Sequence, residues 1–497
     1  MSAAARSHDD PQGPVGTLLG DAFAPEVAAH PGQSGFRLLA TGLDAFTMRV
    51  ALAESARRTL DLQYYIFHAD DTGALLSAAL LQAADRGVRV RLLVDDLNLV
   101  GRDLLAAALD AHPRIEVRVF NPFTLGDRGA LSRLVAFLRN PARLNRRMHN
   151  KSFIADGRLA IVGGRNVGNE YFDANRELGF GDLDVLAAGP IAEEIAGSFE
   201  AYWNSEATRS LRFLGIRRRG RRILRRFRVT LGKRLGTVES SEYAVRLRET
   251  DLAHQLTSSH LELEWARAQL IADEPAKAVL PAVHGGTQPR DFLALLAEEA
   301  VEEVILVSPY FVPGERGMTD LRKLRERGVR LRILTNSLAA TDVALVHAGY
   351  SRYRNALLEM GAEIHELKPI VKPVRGVRPH LFSSARASLH AKTFVFDRRK
   401  VVIGSLNLDP RSLFLNTEIG LIIHSAVLCT QVESAFGELT GPSYSYRVLL
   451  SDAQGGRLEW RTEEDGAAVT YRSEPQAGLL RRLWAGIAGL LPIEGHL

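Results

Sequence analysis

The chain has 497 residues, which is too many for one hydrophobic core and indicates about two to four domains. Apolar residues make up 46% and charged residues 24%, as in ordinary globular proteins, and no run of about 18 apolar residues suggests a membrane span. The net charge of +5 favours anionic partners, either nucleic acid or acidic lipid, and the single cysteine, Cys429, excludes an internal disulfide.

The first elements predict a helix-covered sheet. Residues 1–35 are rich in Gly, Pro, Ala and Asp, and we expect them to be poorly ordered and not a signal peptide. Apolar spacing over 43–59 predicts an amphipathic helix, and the run "LDLQYYIF" that follows predicts a buried strand. "GALLSAALLQAADRG" predicts a helix ended by Gly87, and "VRVRLLVDD" predicts the next strand. Strand, helix, strand order predicts parallel pairing.

The second half repeats this order. "FLALLAEEAVEE" and "MTDLRKLRERG" predict helices, and "VILVSPYF" and "VRLRILTN" predict strands. Gly328 lies 241 residues after Gly87. The equal spacing indicates a duplicated domain.

One polar motif recurs at the same offset. The first copy contains His149, Lys151, Asp156, Gly164, Asn166 and Glu177, and the second contains His390, Lys392, Asp397, Ser405, Asn407 and Glu418. After each His-Lys pair, "SFIADGRLAIVGG" and "TFVFDRRKVVIGS" predict a strand, a tight turn and a second strand. The His and Lys of each copy are two residues apart, so on a strand they face the same side. Such a pair can aim an imidazole and an ammonium at one phosphate.

These residue types suit the cleavage of a phosphodiester. One neutral imidazole can attack phosphorus to form a phosphohistidine, while the other, protonated, gives its proton to the leaving alcohol. The two lysines can neutralise the phosphoryl oxygens, with Asn166 and Asn407 as further donors, so we expect no metal and no cofactor.

The doubled motif resembles the HKD signature of the phospholipase D superfamily. The wider context, including "LDLQYYIFHADDTG", "RMHNKSFIADGRLAIVGGRNVGNEYFDA" and "ILTNSLAATDVALVHAGY", resembles the bacterial cardiolipin synthase-like branch, and within it the cardiolipin synthase C group. The resemblance implies an α/β fold of two duplicated phospholipase D-like lobes. Each lobe is expected to be a mixed, mostly parallel sheet flanked by helices, with the active site at the lobe interface.

The resemblance also implies residue roles. It assigns His149 as nucleophile and His390 as acid and base, and it places Lys151, Lys392, Asp156 and Asp397 in the catalytic motif. In this family a downstream acid hydrogen-bonds the far ring nitrogen of each histidine. Glu177 and Glu418, each 28 residues after its histidine, match that role. The motif aspartates are expected to hold the turns and the lobes together.

Two positions beside the motif differ between the copies. The first copy has Gly164 where the second has Ser405, so the first copy lacks a supporting hydroxyl. The cardiolipin synthase C group, which this chain resembles, also has Gly-Gly at this place, so the glycine does not indicate an inactive lobe. Arg165 adds a cation that could bind the phosphate or the acceptor head group, or pair with an acidic neighbour. Arg165 is therefore a candidate substrate-binding residue.

Two segments suggest a surface role. Residues 209–234 contain twelve Arg or Lys and no acid. Near one helical face lie Ile216, Ile223, Phe227, Leu231 and, directly after this segment, Leu235. This basic arm is either a solvated charged surface or a contact for anionic lipid head groups. The C-terminal run places Leu480, Leu483, Trp484, Ile487 and Leu491 on one face, for docking onto its own domain or insertion at a membrane surface.

These features divide the chain into five expected regions. They are a flexible N-terminus over 1–35, lobe 1 over 36–205, the basic linker or arm over 206–245, lobe 2 over 246–450, and a C-terminal extension over 451–497 that packs on the lobes or on a membrane.

The favoured function is phosphatidyl transfer to phosphatidylglycerol from phosphatidylglycerol or phosphatidylethanolamine, giving cardiolipin. Hydrolysis by a phospholipase D uses the same residues and stays open, and a nuclease is less favoured because the context is lipid-like. The expected partners are phospholipid substrates and an anionic membrane surface, with an accessory protein and the oligomeric state left open. The expected location is cytoplasmic, peripherally on the inner membrane.

Overall fold

The computed structural model describes residues 18–96, 103–123, 135, 138, 141–175, 177–211, 220–239, 241–257, 261–279, 288–370, 386–451 and 456–489. The strands of the first half are β1 (Ser34–Leu39), β2 (Thr59–Tyr64), β3 (Arg89–Asp95), β4 (Ile115–Phe120), β5 (Ser152–Ala155), β6 (Leu159–Gly163), β7 (Leu178–Gly181), β8 (Asp184–Ala188) and β9 (Thr208–Ser210). Those of the second half are β10 (Glu264–Ala272), β11 (Glu303–Val307), β12 (Arg330–Asn336), β13 (Glu363–Leu367), β14 (Arg386–Leu389), β15 (Thr393–Phe396), β16 (Lys400–Gly404), β17 (Ile419–His424), β18 (Ser445–Ser451), β19 (Arg457–Glu464) and β20 (Ala467–Tyr471).

Helices cover the faces of the sheets. The helices up to the middle of the chain are α1 (Leu18–Ala29), α2 (Gly42–Ser55), α3 (Asp71–Asp85), α4 (Asp103–Asp110), α5 (Pro141–Leu144), α6 (Pro190–Trp203), α7 (Gly220–Glu239), α8 (Glu242–Arg248) and α9 (Asp251–Thr257). A 3₁₀ turn spans Pro275–Ala278, and the later helices are α10 (Gln288–Glu299), α11 (Gly314–Glu326), α12 (Ala344–Ser351), α13 (Arg354–Glu359), α14 (Pro410–Phe414), α15 (Ala426–Leu439) and α16 (Leu479–Gly489).

Strand pairing confirms the duplication. Lobe 1 has the order β1-β8-β6-β5-β2-β3-β4-β9, and lobe 2 has the matching order β10-β17-β16-β15-β11-β12-β13-β18. The β19–β20 hairpin extends lobe 2. Antiparallel pairing of β1 with β10 joins both halves into one sheet.

The half of this sheet that each lobe contributes is mixed, as expected, but the expectation of mostly parallel pairing is wrong. Among the described strands of this joined sheet, β2-β3-β4 and β11-β12-β13 pair in parallel, and the other neighbours pair antiparallel. The parallel strands are those joined by helical crossovers. The motif-bearing hairpins β5–β6 and β15–β16 have short turns, and a strand that returns through a short turn pairs antiparallel.

Local sequence signals account for the helix ends. Thr41 caps α2 and Asp70 caps α3 by accepting a backbone N–H of the first turn. Gly87 and Gly328 follow α3 and α11 with φ of 101° and 83°, a left-handed conformation that glycine adopts without strain. The predicted helix stops are therefore confirmed in both lobes.

Among the described residues, hydrophobic clusters lie inside each lobe and also between the lobes. One lies in lobe 1 against α2 and α3, and another lies in lobe 2 against α10 and α11. The third contains side chains of both lobes, among them Phe36 and Ile191 from lobe 1 and Ile403 and Phe436 from lobe 2. Each such buried side chain contributes about 1.5–3 kcal/mol. The shared core holds the two motif-bearing hairpins at one interface.

The N-terminal segment is more ordered than its composition predicts. Residues 18–29 form α1, and Phe23 on this helix packs into the core of lobe 1. The expectation of poor order is therefore wrong for α1, because an apolar anchor offsets the cost of ordering the segment.

The basic arm forms α7 and lies on lobe 1. Phe227, Leu231 and Leu235 share the predicted face and pack against the lobe-1 core, while Ile216 lies outside the described residues. Arg228 and Arg234 pair with Asp85 and Asp71 of α3. The apolar face of α7 is thus occupied by its own lobe, and contact with lipid head groups through its exposed arginines stays a prediction.

The C-terminal stripe does not dock onto its own domain. Leu480, Leu483, Trp484 and Ile487 share one face of α16, as predicted, but all four are exposed, whereas Leu491 lies outside the described residues. The buried residues of α16 are Ala485 and Ala488. Among the described helices, none is long and apolar enough to cross a membrane.

Candidate active site

Both motif histidines lie just before the first strand of a hairpin, at the contact between the lobes. His149 precedes β5, and its backbone N–H donates to the Thr417 carbonyl of lobe 2 at 2.9 Å. His390 precedes β15, and its N–H donates to the Gly181 carbonyl of lobe 1 at 2.7 Å. Each histidine is therefore held by the other lobe, and the two copies of the motif form one composite site.

The carboxylates that orient the histidines are also exchanged between lobes. Nδ1 of His149 lies 2.8 Å from Oε2 of Glu418, which belongs to lobe 2. Nδ1 of His390 lies 2.5 Å from Oδ2 of Asp182, which belongs to lobe 1. Occupation of Nδ1 directs the opposite nitrogen, Nε2, to the reaction.

The assignment of Glu177 as an orienting acid is wrong. Glu177 is exposed, and its backbone N–H donates to Asn175 Oδ1. Strand register explains the error, because Gly163 pairs with Asp184 while Gly404 pairs with Gly420. Asp182 and Glu418 each lie two residues before that pairing partner, so they are the true counterparts.

A short insertion displaced this acid from the constant spacing. The intervening residues of lobe 1 form β7, which pairs in parallel with β14 of lobe 2 across the interface. The constant spacing of 241 residues between the two copies, when extended beyond Asn166, could not reveal this insertion. The sequence signal that could have identified the correct acid is the position of Asp182 just before the apolar run of β8.

The same acid explains why lobe 1 has glycine where lobe 2 has serine. Ser405 Oγ donates to the Glu418 carboxylate and accepts the Ile419 N–H at 3.0 Å. A Cβ at Gly164 would collide with the Asp182 carboxylate. The missing hydroxyl is therefore a consequence of closer packing of the shorter acid.

The motif lysines are buried beside the histidines. Lys151 Nζ donates to the His149 carbonyl at 2.6 Å, and Lys392 Nζ lies 3.0 Å from His390 Nδ1. Burial lowers the pKa of Lys151 to about 7 and that of Lys392 to about 8, and each lysine also feels charges of the opposite lobe. An anionic phosphodiester bound beside them would favour the charged, protonated form of both lysines.

Burial also favours the uncharged form of both imidazoles. It lowers the pKa of His149 to about 4, against the opposing effect of Glu418. It lowers the pKa of His390 well below its usual value, with Lys392 and Lys151 acting in the same direction. Both rings are therefore neutral near pH 7 before substrate binds, which suits a nucleophile.

The motif asparagines differ in their bonding. Asn166 accepts the Ile66 N–H at 3.1 Å and donates to the Tyr171 hydroxyl at 3.1 Å. Asn407 is buried, and its Oδ1 has no hydrogen-bond partner among the described residues. Asn166 thus holds the wall of the site, whereas Asn407 has capacity left for a ligand.

Aromatic rings enclose the two histidines. Tyr65 lies edge-on to His149 at 5.3 Å between ring centroids. Tyr171 lies edge-on to His390 at 5.3 Å, and Phe180 stacks on the same ring at 5.4 Å. Tyr65 belongs to the aromatic run noted in the sequence, whereas Tyr171 and Phe180 had no signal in the spacing of the motif.

The motif aspartates lie outside the site. Asp156 has a φ of 51° in the β5–β6 turn and accepts the backbone N–H groups of Arg57, Arg58 and Thr59. Asp397 has a φ of 52° and binds the equivalent N–H groups of residues 301–303. They anchor each hairpin to the start of β2 or β11 within its own lobe, so neither a catalytic role nor a bridge between lobes is correct.

Arg165 is a structural residue, and its assignment to substrate binding is wrong. Its guanidinium is fully buried and donates to the carbonyls of Leu39 at 2.9 Å and Ala40 at 2.7 Å, and also to those of Tyr171 and Asp182. It also lies 3.6 Å from the Asp184 carboxylate. Its hydrogen-bonding capacity is used inside lobe 1, where it fixes the backbone of Asp182.

We expect Arg165→Met to destabilise the protein by about 3–5 kcal/mol, because it leaves buried carbonyls and a carboxylate without their donor. Thermal denaturation measures this as a lower Tm. Arg322→Met, on the exposed side of α11, is the matched control and should leave the Tm unchanged. An unchanged Tm with a raised KM for phospholipid would instead support substrate binding by Arg165.

Comparisons with known proteins agree with this architecture. The family described as "Cardiolipin synthase, PLD-like domain" matches residues 50–203 and 294–440, which contain the two motif copies. The chain is 40% identical over 487 residues to cardiolipin synthase C of Escherichia coli K12, covering 96% of this chain and 99% of that protein. It is 28% identical to cardiolipin synthase B of the same strain, covering 75% of this chain and 72% of that protein.

A solved structure shares the fold. The phosphatidylserine synthase of Haemophilus influenzae Rd KW20 superposes with a TM-score of 0.56 at 15% sequence identity. The superposition covers 83% of this chain and 87% of that protein. This likeness shows the two-lobed architecture.

Proposed function

The chain belongs to the phospholipase D-like cardiolipin synthase family, and from this we propose that its composite site makes cardiolipin by phosphatidyl transfer. It is a phospholipase D-type phosphatidyltransferase whose acceptor is phosphatidylglycerol and whose donor is phosphatidylglycerol or phosphatidylethanolamine. The observation that carries the proposal is that each histidine is oriented by a carboxylate of the other lobe. His149 bonds Glu418 and His390 bonds Asp182, so both rings are positioned at the contact between the lobes.

In the first step, Nε2 of His149 attacks the phosphorus of the donor. A P–N bond forms, the P–O bond to the head group breaks, and the leaving oxygen takes a proton from Nε2 of His390. The anionic substrate favours the protonated form of His390, because it adds negative charge beside a ring that burial, together with Lys392 and Lys151, otherwise keeps neutral. Glu418 stabilises the positive charge that develops on His149.

In the second step, the roles of the rings reverse. Nε2 of His390 takes the proton of a phosphatidylglycerol hydroxyl, whose oxygen then attacks phosphorus. The new P–O bond forms as the P–N bond to His149 breaks, and His149 leaves as a neutral imidazole. Lys151 and Lys392 neutralise the phosphoryl oxygens in both steps.

The surroundings of the rings favour a lipid alcohol over water. His149 and His390 are only 9% and 8% exposed, and Tyr65, Tyr171 and Phe180 pack against them. A site with little room for water lowers the rate at which the phosphohistidine is hydrolysed. Because both substrates are bilayer lipids, the proposed location is the cytoplasmic surface of the inner membrane, bound peripherally.

Product analysis tests the proposal. The purified protein would be incubated with phosphatidylglycerol vesicles, with and without phosphatidylethanolamine carrying isotopically labelled acyl chains, and the lipids analysed by mass spectrometry. Cardiolipin is the expected product, and label in it identifies phosphatidylethanolamine as donor. Phosphatidic acid without cardiolipin would contradict transfer and establish hydrolysis, and nucleic-acid cleavage without any lipid product would contradict both.

We expect kcat/KM to fall as pH rises through about 7 to 8, because kcat/KM reports the free enzyme and its lysines lose their protons there. Neutral amines no longer offset the charge of the phosphodiester. Initial rates at low substrate concentration across pH measure the effect. In Lys151→Arg, whose guanidinium stays charged, the part of the loss near pH 7 should disappear while that of Lys392 remains. A wild-type profile that stays flat to about pH 9 would contradict this account.

A further inference from the structure

Helix α16 presents its large apolar side chains to solvent. Leu479, Leu480, Leu483, Trp484 and Ile487 are between 54% and 83% exposed. Surface helices normally bury such a stripe and expose the polar face. Here the buried positions are instead the small residues Ala485 and Ala488.

The orientation of α16 is fixed by contacts with lobe 2. Ala485 and Ala488 pack with Ala348 of α12 and with Leu338. Arg481 donates to the Thr341 carbonyl at one end, and Arg352 Nε donates to the Gly489 carbonyl at 2.7 Å at the other. The apolar stripe is therefore held outward by specific contacts at both ends.

The segment that anchors α16 also borders the active site. Thr341 precedes Asp342, whose carboxylate accepts the Tyr310 hydroxyl at 2.8 Å. The same carboxylate acts electrostatically on His390 and Lys392. One loop thus separates the exposed helix face from the catalytic histidine of lobe 2.

The composition of α16 identifies what covers its face. The helix carries Arg481 and Arg482 and no acidic residue, with a tryptophan in the apolar stripe. Basic residues beside Leu, Ile and Trp are typical of helices that lie in the interface of an anionic bilayer. Its 11 residues are too few to cross the hydrocarbon layer.

We propose that α16 is an interfacial anchor that lies in the head-group layer of a bilayer rich in anionic phospholipid and holds the catalytic cleft against it. This inference rests on the proposed function, because a membrane is where the substrates of a phosphatidyltransferase are found. Because the anchor holds the cleft at the bilayer surface, phospholipid enters the cleft directly from that bilayer.

Vesicle binding by the full-length protein tests the anchor. The probes are vesicles of phosphatidylcholine alone and of phosphatidylcholine mixed with phosphatidylglycerol, separated by flotation. We expect the wild type to float with the anionic vesicles and the double variant Leu480→Glu/Leu483→Glu to lose at least about tenfold in partitioning. Leu295→Glu, at an exposed leucine of α10, is the matched control and should bind like the wild type.

Tryptophan fluorescence provides an independent readout. Trp484 should shift to shorter wavelength when anionic vesicles are added, and the shift should be absent in Trp484→Phe. Of the other tryptophans, Trp203 and Trp460 are buried and Trp265 stacks on the His30 ring. The Trp484→Phe variant measures whatever change these three contribute. Undiminished flotation of the double variant, or no shift from Trp484, would overturn the proposal. So would concentration-dependent self-association that the double variant abolishes, because a second copy would then cover the face.

Activity measurements separate this inference from the proposed function. The double variant should lose turnover on vesicles and keep turnover of short-chain phosphatidylglycerol in solution, since it leaves the catalytic residues untouched. Loss of both activities with an unchanged Tm would assign α16 to catalysis and overturn the anchor. A wild type that binds vesicles through α16 but forms no cardiolipin would contradict the proposed function and leave the anchor in place.

Discussion

Replacing His149 or His390 with alanine is expected to lower cardiolipin formation by at least about 10³-fold. In the proposed mechanism, His149→Ala removes the nucleophile, and His390→Ala removes the group that protonates the leaving alcohol and deprotonates the incoming one. Because the two rings act on one phosphorus, the double variant should be little worse than either single variant. Initial rates of cardiolipin formation on phosphatidylglycerol vesicles measure the effect.

The control for this experiment is an exposed histidine in the same fold. His424, at the end of β17, is exposed, and His424→Ala should keep the wild-type rate. The Tm of each variant shows whether the fold is kept. A single-histidine variant that folds and retains more than about a tenth of the activity would contradict the composite site.

Neutralising either orienting acid is expected to lower kcat by about 10²- to 10⁴-fold, by analogy with the loss seen when a carboxylate that holds a catalytic histidine becomes an amide. Asp182→Asn and Glu418→Gln keep the shape of the side chain but cannot stabilise a positively charged imidazole. Glu177→Gln is the matched control, since Glu177 is exposed in the structure, and its rate should equal that of the wild type.

Kinetics distinguishes this positioning role from simple loss of structure. We expect kcat to fall even at saturating substrate, where the bound phosphodiester favours the charged form of both lysines, because Asp182 and Glu418 act on the rings. The pH dependence of kcat should also move in both variants, since each carboxylate influences the proton affinity of its partner histidine. Equal losses in Glu177→Gln and Asp182→Asn would contradict the crossed arrangement.

Much of the fold followed from a constant offset between matched residues. The offset of 241 residues predicted two copies of one sheet, and the pairing of every strand from β1 to β9, except β7, has a counterpart in lobe 2. The hairpins after His149 and His390 were readable because each has two apolar runs around an Asp-containing turn. These signals are local, so sequence was sufficient.

What the sequence could not show depends on contacts between lobes. Glu177 kept the repeat spacing, yet β7 pairs with β14 of the other lobe and shifts the orienting role to Asp182. Arg165 sits beside the motif in sequence, but its guanidinium points to the carbonyls of Leu39 and Ala40. Neither outcome could be derived from spacing, because both are set by where distant segments pack.

Packing also explains two other features that the sequence did not predict, the mostly antiparallel strand pairing and the exposed apolar face of α16. Strand, helix, strand order describes β2 to β4 correctly, but strands from the motif hairpins pair beside β2 and change the balance. The periodicity of α16 identified the apolar face without saying whether anything covers it. The alanines that dock the helix, Ala485 and Ala488, carry a weaker hydrophobic signal than the leucines that remain exposed.

The most direct test of the composite site is to trap the covalent intermediate. The donor would carry p-nitrophenol as its head group, which leaves without a proton and therefore needs no acid from His390. In His390→Ala, we expect the phosphatidyl group to remain bound to His149, found by intact-mass and peptide mass spectrometry, because no base activates the acceptor. A phosphatidyl group on the peptide containing His390 in His149→Ala, or no adduct in either variant, would contradict the account.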